Sequence, residues 1–113
     1  PPDMTSSFED REAAFENKFL HDQQLQFRVE AKACKAFGLW IAAQIGLNEQ
    51  EAQDYANDMV VANLDKPGLD DVIDLSEADL TARGQGIARE RLKSVLDQFV
   101  QEAKRAVMQD VSP

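Results

Sequence analysis

Three observations predict an all-α fold, a small four-helix bundle with a long first helix. Apolar residues recur with helical period over most of the chain. The breakers are few, five Gly and four Pro, and apart from Gly38 the interior ones mark three breaks, at Gly46, Pro67-Gly68 and Gly84 to Gly86. The connections left between periodic segments are short, which favours antiparallel neighbours. At 113 residues with 43% hydrophobic content, one domain with a modest core is expected.

The first helix is predicted to start at Ser7, whose hydroxyl has cap spacing to Asp10. Phe8, Phe15 and Phe19 stand at i, i+7 and i+11, one face of a helix. Phe27, Ala31, Cys34, Phe37, Ile41 and Ile45 follow as a denser stripe, widened by Leu39 and Trp40, and Gly46 is the stop. Asn48 with Glu51 signals the second start. Ala52, Tyr55, Ala56, Met59, Val60 and either Asn63 or Leu64 carry its stripe. Lys66-Pro67-Gly68 is a turn, because proline cannot continue the helix and glycine allows the reversal. Leu69, Val72 and Ile73 open a short acidic third segment, which Ser76 with Asp79 has the spacing to restart. Arg83-Gly84-Gln85-Gly86 is the last break. Ile87, Leu92, Val95, Leu96, Phe99, Ala103 and Val107 then make a long stripe on a fourth helix. The domain reading is an N-terminal segment 1–20, disordered or frayed when free, a four-helix bundle at 21–108 and a polar, flexible tail at 109–113. Met4 reads as a candidate start, with Pro1–Asp3 ahead of it.

The net charge of −9 argues against nucleic acid and against an anionic membrane surface as partners. It is unevenly spread. Residues 46–82 carry ten acids and one base, whereas residues 83–113 carry four acids and six bases, so the two segments should attract if packed together. The single cysteine, Cys34, excludes an internal disulfide and suits a reducing compartment. No run reaches the roughly 18 apolar residues of a membrane span, and no basic-then-apolar leader opens the chain.

Catalytic constellations are not visible. His21-Asp22 would need further histidines to hold a metal, and the chain has one. Cys34 lies on an apolar stripe with no histidine placed to activate it. Gly84-Gln85-Gly86 lacks the lysine of a phosphate loop. No enzyme, cofactor or metal is therefore expected.

The segment around the three phenylalanines is sparsely apolar. Such a helix is marginal alone in water. Burying three Phe rings gives roughly 5–9 kcal/mol gross, against about 2–5 kcal/mol for ordering the segment on binding. That is the energetic shape of a helix-in-groove ligand. Phenylalanines at this spacing equally suit the outer layer of the bundle's own core, and the spacing leaves both readings open.

"FEDREAAFENKF", Phe8 to Phe19, followed by His21-Asp22, Phe27 and "GLWIAAQIGL", Gly38 to Leu47, resembles the zeta subunit of alphaproteobacterial F-type ATP synthases. The resemblance spans nearly all of residues 7–105 and is most specific at its N-terminal end. It implies a four-helix protein whose mobile or protruding N-terminal part folds into an interface between alpha and beta subunits near gamma. Hydrolytic rotation then stalls. The residues falling on the inhibitory motif are Phe8, Glu9, Asp10, Arg11, Glu12, Phe15, Glu16, Lys18 and Phe19, with Ser7 as cap. Phe37, Leu39, Trp40 and Phe99 are implied as bundle core. The implied location is cytoplasmic, peripheral to the inner membrane through the ATP synthase. The alternatives are a bundle that binds nucleotide, weakly, beside Arg83, Arg89, Arg91 and Lys93, or a generic helical adapter.

Overall fold

A computed structural model describes residues 4–65 and 68–111, with side chains at 22–65 and 68–109. Four helices follow in order: α1 (Met4–Gln44), α2 (Glu49–Asp65), α3 (Asp70–Ala82) and α4 (Arg89–Val111). Among the described residues there is no strand.

The helix ends follow from local chemistry. Gly46 takes a positive φ of 74°, which a side chain would resist. Its amide donates to the Ala43 carbonyl at 3.3 Å, and the Leu47 amide donates to the Ala42 carbonyl at 3.0 Å. These bonds satisfy carbonyls that the helix end would otherwise orphan. Asn48 and Glu51 then cap α2 reciprocally, as predicted. The Glu51 amide donates to Asn48 Oδ1 at 2.9 Å, and the Asn48 amide donates to Glu51 Oε1 at 3.0 Å. Lys66 and Pro67 lie outside the described residues. At the next break the Gln85 amide donates to the Leu80 carbonyl at 2.9 Å, closing α3 as α1 is closed.

α1 is the central element. It packs along α2 on one side and along α4 on the other, while α3 touches all three more sparingly. The core is Val29, Ala33, Cys34, Phe37 and Ile41 of α1 with Met59 of α2, Val72, Ile73 and Leu80 of α3, and Leu92, Leu96, Val100, Ala103 and Val107 of α4. Trp40 and Phe99 pack against it partly buried, and Phe37 stacks on Trp40 with centroids 6.2 Å apart. Leu39 is half-buried at the margin rather than in the core. At Gly38 an added Cβ would stand 2.6 Å from the Ala56 Cα, so α1 and α2 meet there backbone to backbone.

Several expectations are corrected. α1 begins at Met4, not at Ser7. No proline or glycine stands between the two, so nothing ends the helical conformation. Ser76 does not restart α3. It lies inside an unbroken helix, buried, with its hydroxyl donating to the Ile73 carbonyl at 2.9 Å. Phe27 is 50% exposed rather than on the buried stripe. From Gly38 back to Phe27 is roughly 16 Å of helix, whereas α2 ends at Asp65, roughly 14 Å beyond Ala56. Phe27 therefore stands just past the end of its neighbour. Val29 and Ala33, outside the predicted stripe, are buried instead. On α2 the open choice falls to Asn63, which is buried, while Leu64 is exposed.

Candidate functional site

The nine residues singled out as partner-binding, Phe8, Glu9, Asp10, Arg11, Glu12, Phe15, Glu16, Lys18 and Phe19, all fall on the N-terminal part of α1. Their side chains lie outside the described residues, as does the question of whether 1–20 is disordered when free. Their backbone belongs to the same continuous 41-residue helix that enters the bundle. At 100° per residue, positions 8, 15 and 19 fall within roughly 40° of one another around the axis. Position 19 also precedes Phe37 by five full turns, so the strip they share is in phase with the fully buried centre of α1.

Among the described residues, the neighbouring helices end near the base of that strip. The groove at the base of the arm, about 270 Å³, is lined by Asp22, Leu25, Gln26 and Val29 of α1 with Lys104, Val107 and Met108 of α4. α4 ends at Val111, about one turn further on. Positions 8 and 15 stand beyond that end, and position 19 near its edge. The molecule is accordingly elongated, 72 × 25 × 21 Å.

The opposite end of the bundle holds its polar chemistry. The Tyr55 hydroxyl donates to Asp79 Oδ2 at 2.7 Å, tying α2 to α3. Burial, that hydrogen bond and the Asp79 charge raise the phenol above its ordinary range, and Arg83 lowers it in part. Arg89 pairs with Asp74 at 2.7 Å and Glu77 at 3.5 Å, so the acidic middle and the basic last segment do meet at the α3–α4 junction. Cys34 is fully buried, and burial with the nearby Glu30 charge pushes its thiol up to about 11.

The four cations proposed for a nucleotide are not brought to one cleft. Arg83 lines a hollow between α2 and α3 with Asp58 and Asp79. Arg89 is engaged by the α3 acids. Lys93 lines a third groove with Asp70 and Asp97, and Arg91 is exposed. Among the described residues no group of three or more His, Cys, Asp or Glu could hold a metal, and no helix is long and apolar enough to cross a membrane.

Fold and site together define a small all-α bundle from which one helix runs on past its partners. The chain belongs to the ATPase inhibitor subunit zeta family, whose model matches residues 4–106. No curated protein and no solved structure gives a significant match. Membership assigns the chain an inhibitory role toward the ATP synthase and makes that complex its partner.

Proposed function

We propose that the protein inhibits ATP hydrolysis by inserting the N-terminal part of α1 at an interface between the alpha and beta subunits, near gamma. The observation that carries this is the phase relation of the arm: an apolar strip continuous with the core stripe of α1, on a helix that outruns α4. Phe8, Phe15 and Phe19 would fill a groove of the partner as Phe37 and Ile41 fill the bundle. Glu9, Asp10, Arg11, Glu12, Glu16 and Lys18 would set register by charge at the rim. The block is steric. It needs no cofactor and no chemistry from the inhibitor itself. Rotation in the hydrolytic direction jams against the inserted helix, and rotation in the synthetic direction expels it. The protein then sits on the cytoplasmic side, peripheral to the inner membrane through its partner.

Deleting residues 4–20 tests the mechanism. The remaining bundle should stay helical and melt cooperatively while inhibition of hydrolysis disappears. An unchanged inhibition constant after the deletion would reject insertion of the arm.

A further inference from the structure

The seam between α2 and α3 is open. A hollow of about 370 Å³ lies between them over Ile45, Met59 and Ala82, with Tyr55, Asp58 and Asp79 on its walls. A second of about 490 Å³ adjoins it, lined by Ala62, Asp65, Asp71 and Asp74. Leu75 lines both and is 39% exposed, so the two hollows lie side by side along the seam and together form one trough with Leu75 between them. Its floor is apolar, Ile45, Ala62, Leu75 and Ala82, with Met59 buried beneath. Its lips are mostly acidic, with Asp58 and Asp65 from α2 and Asp71, Asp74 and Asp79 from α3, although Arg83 also lines it and Asp74 is paired with Arg89.

We propose that this trough docks a basic amphipathic helical segment of the ATP synthase, a second contact separate from the arm. An apolar strip of that segment would rest on Leu75, Ala62 and Ala82, and its Lys or Arg side chains would reach the carboxylates along the lips. Helix-in-groove docking needs this combination of apolar floor and complementary rim. A second copy of the chain is the poorer occupant. Each copy carries a net −9, concentrated in the segment that forms the trough, so two copies repel there. The inference takes the identity of its partner from the inhibitor reading; the trough itself does not depend on it.

The test uses the full chain and the purified catalytic sector of the ATP synthase, with association and dissociation rates measured at low and high salt. The triple variant Asp58→Asn, Asp65→Asn, Asp71→Asn leaves the Tyr55–Asp79 and Arg89–Asp74 contacts in place. It should associate about tenfold more slowly at low salt and lose most of the salt dependence. Leu75→Ser should dissociate several-fold faster. The triple Asp58→Glu, Asp65→Glu, Asp71→Glu keeps the charges and should bind like wild type; if it binds as slowly as the Asn triple, charge is not the cause and the proposal fails. Unchanged rates in the Asn triple reject the trough and leave the inhibitor reading standing. No binding by the wild-type chain rejects both. Self-association of the wild type that the Asn triple abolishes would assign the trough to a second copy and overturn the proposal.

Discussion

Gly38 lets α1 approach α2 more closely than any side chain allows. In Gly38→Ala the new Cβ would press on the Ala56 backbone, which cannot swing away. Overpacking of this kind costs about 1–3 kcal/mol. The helix propensity of alanine returns roughly 1 kcal/mol at most. Net destabilisation is expected, read as a lower denaturation midpoint with an unchanged slope. Asn63 is the opposite case. It is 6% exposed and its Oδ1 has no hydrogen-bond partner. An unsatisfied buried acceptor costs about 1–3 kcal/mol, so Asn63→Leu should raise the midpoint, and a lowered one would show that the amide is held. Cys34 should resist alkylation in the native protein. Its thiol is buried and stays protonated until about pH 11. Labelling should appear on unfolding. The Asn48–Glu51 cap was legible from two residues at the right spacing. Asn63 was legible only as one of two choices, because sequence period does not show which side of a helix its neighbour will cover.

At the scale of elements, α3 is the loosest member of the bundle, held by Val72, Ile73 and Leu80 below and by polar ties from Asp74 and Asp79. The Tyr55–Asp79 tie makes its stability depend on pH. The phenol is raised above its ordinary value near 10, so the folded chain keeps a proton that the unfolded chain loses. The stability from this tie is fully present below about pH 10 and is lost as pH rises beyond it. Melting temperature should therefore fall with alkalinity above that pH more steeply in the wild type than in Tyr55→Phe. Parallel curves would mean that the hydroxyl contributes nothing. The boundaries of α2 and the stops at Gly46 and Gly84 were legible because capping is local chemistry. The single α3 was not, since Ser76 has the spacing of a cap. Burial between neighbours lets its hydroxyl bond back to Ile73 instead.

At the scale of the whole molecule, one helix serves two ends. Residues 29–41 of α1 anchor the bundle, and the same strip runs on past α4. If the arm works in a partner's groove, Phe15→Ala with Phe19→Ala should weaken inhibition by about 3–6 kcal/mol, the range for losing two buried rings. The melting temperature should barely move. A large drop in it would instead place those rings in the bundle's own core. Phe27 marks the changeover between the two ends, and its exposure could not be read along the chain, because it depends on where α2 stops.

The sequence by itself determined the all-α class, the order of four helices, the Asn48–Glu51 cap with the glycine stops, and the place of the phenylalanine strip on α1. These follow from period, breakers and side chains within a few residues of each other. Only the tertiary structure decided that α1 lies between α2 and α4, that Val29 and Ala33 are buried and Phe27 is not, and that α2 and α3 part into an acid-lipped trough. Each of these depends on helix lengths and on how closely backbones meet, which residues distant in the chain settle together.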